Sequence, residues 1–124
     1  MTILNKIIDE IKNSGSIPID RYMKICNSHY YATRDPLGKD GDFTTSPEIC
    51  QVFGEMIAVW AITAWEKIGQ PSEVAVVELG PGRGTLMADF LRAIKVMPEF
   101  KPQIHMVETS PALQEKQRQL LCHS

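Results

Sequence analysis

Apolar residues recur at helical spacing through the first two thirds of the chain, then give way to short unbroken runs separated by turn formers. Ile3, Leu4, Ile7, Ile8 and Ile11 fall on one side of a 3.6-residue helix. Asn13-Ser14-Gly15 supplies a stop, so a first helix is expected over about 2–13. Pro18 suits a first helical turn, and Ile19, Tyr22, Met23 and Cys26 follow at i, i+3, i+4 and i+7, predicting a second helix that ends near Asn27. From His29 to Thr45 the periodicity vanishes into the turn formers Asp35-Pro36-Leu37-Gly38 and Lys39-Asp40-Gly41-Asp42, which reads as a long irregular loop of a functional kind. Ser46-Pro47-Glu48 has the makings of a helix start, with Ser46 as N-cap. Ile49, Val52, Phe53, Met56, Ile57 and Trp60 continue that helix toward Gly69 with Trp60 in the core.

After Pro71 the period changes. Val74-Ala75-Val76-Val77 is a β-branched run without alternation, as expected of a strand covered on both faces in a parallel sheet. Leu86, Met87, Phe90, Leu91, Ile94 and Met97 predict a helix closed by Pro98, Ile104-His105-Met106-Val107 a second strand, and Ser110-Pro111 a further helix start. Strand, helix, strand, helix implies a right-handed parallel crossover, hence an α/β fold of Rossmann-like type. The reading divides the chain into a helical extension over 1–70, with a loop at 29–46, and the start of a Rossmann-like domain over 71–124.

Composition removes several function classes. The chain has 124 residues, 44% hydrophobic and 23% charged, which is ordinary for a globular domain. Its net charge of -2 and the absence of a basic run speak against a nucleic-acid partner. Cys26, Cys50 and Cys122 are odd in number and far apart, and His29 and His105 have no ligand partner at useful spacing, so neither a disulfide framework nor a metal site is expected. The longest apolar run, Met56 to Trp65, is roughly half the length of a membrane span. With no signal or transit pattern at the N-terminus, a cytoplasmic location is expected, or the mitochondrial matrix if a transit peptide is missing from this chain.

The chemistry concentrates in Glu78-Leu79-Gly80-Pro81-Gly82-Arg83-Gly84, at the first strand-to-helix turn. In open parallel sheets ligands sit beyond the carboxyl ends of the strands, and glycines at that turn let backbone approach the ligand. A dinucleotide loop reads G-x-G-x-x-G and places pyrophosphate on the helix N-terminus. Here the spacing is G-x-G-x-G, and Glu78, just before it, would repel pyrophosphate but suit the ammonium and sulfonium charges of S-adenosylmethionine. Glu108 ends the second strand, where an acid accepts hydrogen bonds from ribose hydroxyls. Glu78, Gly80, Pro81, Gly82, Gly84 and Glu108 are therefore expected to bind S-adenosyl-L-methionine.

Glu78 to Leu86, the run Gly41-Asp42-Phe43-Thr44-Thr45-Ser46-Pro47-Glu48 and the aromatic His29-Tyr30-Tyr31 together resemble the MidA family of methyltransferases, bacterial and mitochondrial, from about Ser16 to Gln114. The resemblance implies a seven-stranded fold with an N-terminal helical extension, of which this chain holds the first two strands and is expected to be a fragment. It also implies methylation of a protein arginine, in the mitochondrial members on a subunit of respiratory complex I in connection with its assembly. Thr44, Thr45 and Ser46 would line the cofactor.

An arginine acceptor needs carboxylates that grip the guanidinium and take its proton, and Asp42 and Glu48 are the candidates. Asp42 could equally be a turn residue and Glu48 a helix-dipole partner. Tyr30 and Tyr31 are read as packing residues before channel residues, and Arg83 is left open. Two other functions compete: an NAD-binding oxidoreductase using the same turn, and an assembly factor or interaction module that keeps the methyltransferase fold without turnover. Oligomeric state is not legible.

Overall fold

The computed structural model describes residues 2–33 and 44–122, and the chain divides into two compact units, Met1–Asp35 and Pro36–Ser124. The first is a pair of helices, α1 (Ile3–Ser14) and α2 (Ile19–Thr33). Thr2 caps α1, its side chain accepting from the Asn5 N–H, and Gly15 at φ 78° ends it by returning its N–H to the Ile11 carbonyl. Arg21 of α2 forks Glu10 of α1, with Nε 2.6 Å from Oε1 and Nη2 3.2 Å from Oε2. That hydrogen bond holds the Glu10 carboxyl below its usual range. The second helix runs past the end expected near Asn27, through His29, Tyr30 and Tyr31. No glycine or proline lies between Asn27 and Thr33 to stop it, and the next breaker is Pro36.

The second unit contains α3 (Ser46–Ile49), α4 (Val52–Lys67), β1 (Ala75–Leu79), α5 (Thr85–Ala93) with a 3₁₀ turn at Ile94–Val96, β2 (Gln103–Val107) and α6 (Pro111–Leu121). The strands pair in parallel, Ala75 opposite Gln103 through Leu79 opposite Val107, as the strand-helix-strand order requires. On one face lies the core: Ala58, Ile62 and Trp65 of α4, Met87 and Phe90 of α5, Ile94 and Phe100, with Val74, Val76, Ile104 and Met106 packed against it. Trp65 stacks at 5.3 Å on Phe100 and donates its indole N–H to the Pro71 carbonyl at 2.9 Å, so its polar edge is satisfied inside the core.

Three expectations change here. The single helix from Ser46 to Gly69 is two, because Cys50 is extended (φ -152°, ψ 127°) and interrupts the ladder between α3 and α4. The apolar stripe read as core faces outward: Trp60 is 69% exposed, whereas Trp65 is 6% exposed, and the buried face is Gly54, Ala58, Ile62 and Trp65. Close approach decides this. A Cβ on Gly54 would stand 2.6 Å from the Asp89 Cβ and 3.1 Å from the Leu86 carbonyl oxygen, so α5 lies against the helix side with the least side chain. Finally, β1 is covered on one face only among the described residues. Val76 and Glu78 are half-buried, and Val77 and Leu79 are exposed.

The helix α4, on the N-terminal side of the boundary read at residue 70, is thus in the same compact unit as the strands and packs on α5. Among the described residues no helix is long and apolar enough to cross a membrane.

Candidate functional site

The site is built where β1 ends. Gly80 continues the ladder one step beyond the strand, donating its N–H to the Val107 carbonyl at 2.9 Å. The chain then folds into a tight turn, the Gly84 N–H reaching the Pro81 carbonyl at 2.9 Å, before α5 begins with Gly84 as its N-cap. Gly80, Gly82 and Gly84 have φ of 65°, 57° and 87°, the left-handed region that other residues enter at a cost of about 1–2 kcal/mol each. Pro81 is buried beneath the turn.

Glu78 precedes this turn, half-buried, and its Oε2 is a buried oxygen with no hydrogen-bond partner among the described residues. Burial pushes its carboxyl above the usual range. A native fold seldom leaves such an oxygen unsatisfied without a functional reason, and a ligand's hydrogen-bond donor, cationic or neutral, would satisfy it.

At the end of β2, Glu108 is held by the start of α6. Its Oε1 accepts from the N–H groups of Thr109 and Ser110, both at 2.8 Å. Its Oε2 carries no hydrogen bond among the described residues. Ser110 caps α6 as the sequence predicts, accepting from the Leu113 N–H at 3.4 Å. Gln114 of α6 donates to the Glu108 carbonyl, and Gln117 to the Gly82 carbonyl, each at 2.7 Å.

Of the upstream run, Asp42 lies outside the described residues. Thr44, Thr45 and Ser46 are exposed. The N-cap of α3 is Thr45 and not Ser46, because it is the extended Thr45 (φ -99°, ψ 162°) whose carbonyl accepts from the Glu48 N–H at 2.9 Å. Glu48 reaches the glycine turn: its Oε1 accepts from the Thr85 hydroxyl at 2.5 Å, and its Oε2 lies 3.9 Å from Nη1 of Arg83. The fold therefore ties a carboxylate from the upstream run to the two residues flanking Gly84. Tyr30 and Tyr31 meet edge to face at 5.2 Å on α2, in the first unit.

Thr85, Gln114 and Gln117 were missed by the sequence reading. Thr85 had a faint signal in following Gly84 directly. The two glutamines had none, since Gln114-Glu115-Lys116-Gln117-Arg118-Gln119 reads as a solvated helix face.

Comparison with known proteins decides the family. The family described as "Putative S-adenosyl-L-methionine-dependent methyltransferase" matches residues 56–124. This chain belongs to it. Its cofactor class is the one expected from Glu78 and the G-x-G-x-G turn, and the resemblance to MidA methyltransferases holds. The chain is 46% identical over 123 residues to the mitochondrial protein arginine methyltransferase NDUFAF7 homolog of Drosophila melanogaster, and 42% identical over 123 residues to the mitochondrial protein arginine methyltransferase NDUFAF7 of Homo sapiens. Each match covers 93% of this chain and 28% of the relative, so the chain spans less than a third of the length of these proteins.

A solved structure from Burkholderia thailandensis, described as a "likely methyl transferase" bound to S-adenosyl-homocysteine, superposes with a TM-score of 0.77. It is 24% identical, and the match covers 98% of this chain and 33% of that one. The fold is thus part of a Rossmann-like methyltransferase fold, two parallel strands with their helices. Both named curated relatives are mitochondrial; they lend no support to the cytoplasmic expectation and agree with its alternative.

Proposed function

We propose that the protein to which this chain belongs transfers a methyl group from S-adenosyl-L-methionine to an arginine of a protein substrate, in mitochondria. The observation that carries the reading is the buried, unpartnered Oε2 of Glu78 beside the glycine turn. A carboxylate so placed is costly unless a cation meets it, and it would oppose a pyrophosphate, which disfavours the NAD reading. The residues present fit the cofactor at both ends, Glu78 toward its methionine ammonium and the Oε2 of Glu108 toward its ribose hydroxyls.

The cofactor supplies an electrophilic methyl on a sulfonium whose leaving group needs no protonation. What remains for the protein is to position the acceptor and exclude water. Glu48 and Asp42 are the carboxylates proposed to grip the acceptor and take its proton. Glu48 has the geometry for the first task, since it already faces a guanidinium, that of Arg83. Thr44, Thr45 and Ser46 are proposed to line the cofactor from the same segment. The relatives' names support arginine as acceptor, and the family resemblance supports a respiratory complex I subunit as its carrier.

The test is calorimetric titration of S-adenosylmethionine into the full chain and its Gly82→Val and Glu108→Ala variants, with mass spectrometry for methylarginine on captured partners. Binding and methyl marks that both disappear in the variants support the reading. Partner capture that survives them with no methyl mark in the unmodified protein would overturn it in favour of a holding module without turnover.

A further inference from the structure

Two glutamines of α6 hold the two halves of the candidate site from behind. Gln117 is 6% exposed, and its Nε2 donates to the Gly82 carbonyl at 2.7 Å. Gln114, one helical turn earlier, donates from Nε2 to the Glu108 carbonyl at 2.7 Å. Spaced i and i+3, they share one face of the helix. The neighbouring Gln119 instead bonds Glu115 on the exposed side at 3.1 Å. We propose that Gln114 and Gln117 are positioning residues that set cofactor affinity by fixing the peptide planes at Glu108 and Gly82. The proposal rests on the S-adenosylmethionine reading above.

The physical argument is the geometry of the trans peptide. Its carbonyl and the following N–H point in opposite directions, so capturing a carbonyl on the α6 side turns the next N–H away from α6. At Glu108 the consequence is visible. With its carbonyl taken by Gln114, the next N–H, that of Thr109, donates to the Glu108 Oε1, which also accepts from Ser110. An oxygen holding two N–H donors has used both lone pairs, so Oε2 is the oxygen left for the ribose.

At Gly82 the same logic turns the Arg83 N–H away from α6. Gly82 has no side chain to hold that peptide, and it stands at a φ of 57°, in the left-handed region that a residue without Cβ enters freely. The fit is close: a Cβ on Gly84 would stand 3.3 Å from the Gln117 Cγ and 3.7 Å from its Cα. The third glycine of the turn thus admits the glutamine that holds the second.

The experiment is calorimetric titration of S-adenosylhomocysteine into the full chain and its Gln117→Met, Gln114→Met and Gln117→Glu variants, with thermal melts run beside each. Methionine keeps the length and loses the donor. Each Met variant should weaken binding about three- to tenfold, the range for one neutral hydrogen bond. If the buried Gln117→Met does not fold, the half-buried Gln114→Met carries the same comparison.

Gln117→Glu makes the donor titratable. Only its protonated carboxyl can donate to Gly82, so its affinity relative to the unmodified chain should recover as pH falls. A packing role predicts unchanged binding in Gln117→Met, which keeps the volume without the donor. Unchanged affinity in both Met variants, or a pH-independent deficit in Gln117→Glu, overturns the proposal while the cofactor reading stands. An unmodified chain that fails to bind overturns both.

Discussion

Glu78 joins burial to charge at the point where the glycine turn begins. Its folded-state carboxyl is raised by desolvation, so the native state keeps this proton to a higher pH than the unfolded chain does. Stability from that difference is fully present below the unfolded value and is lost as pH rises through the folded one. Glu78→Gln should therefore raise the melting temperature at neutral pH, with the gap closing in acid, as thermal melts at several pH values would read. Binding has the opposite slope. A cationic ligand favours the carboxylate, so affinity for S-adenosylmethionine should rise with pH through the Glu78 titration, and Glu78→Gln should be weaker and flatter by calorimetry. That Glu78 stands directly before the glycine turn was legible in the sequence. That one of its oxygens is buried and unmet was not, because burial depends on residues far away in the chain.

At the scale of elements, the contact between α4 and α5 is decided by Gly54. Gly54→Ala would gain about 1 kcal/mol of helix propensity. It would also drive a methyl to 2.6 Å from the Asp89 Cβ, and overpacking of this kind costs about 1–3 kcal/mol. A net loss of stability in urea unfolding is expected, and a net gain would show that α5 can retreat. The two tryptophans of α4 supply a paired prediction. Trp65→Ala should cost about 3–5 kcal/mol, as for large aromatics removed from a core, whereas Trp60→Ala in this chain should stay within about 0.5 kcal/mol. Periodicity placed Trp60 inside because residues 49, 52, 53, 56, 57 and 60 are apolar at helical spacing. The side that packs is instead the one a glycine and an alanine open to α5, and that choice cannot be made from one helix alone.

In the second unit, among the described residues, one face of the two-stranded sheet is packed and the other is open. Val77 and Leu79 are 55% and 76% exposed, and Val107 on β2 is 51% exposed. Contiguous apolar surface of this kind drives association. Val77→Lys should reduce self-association in sedimentation velocity without lowering the melting temperature, and a monomeric unmodified chain would refute the expectation.

The sequence by itself determined the parts governed by local rules. Strand and helix order followed from periodicity, the turn from three glycines in close spacing, and the start of α6 from Ser110-Pro111. The cofactor class followed from an acid placed ahead of that turn. Tertiary structure alone decided which face of α4 is buried, that Glu48 meets Thr85 and Arg83, and that Gln114 and Gln117 grip the site from α6. Each of those joins residues distant in sequence or picks one of two apolar faces, and such choices are made by close packing between elements, about which a period along one chain carries no information.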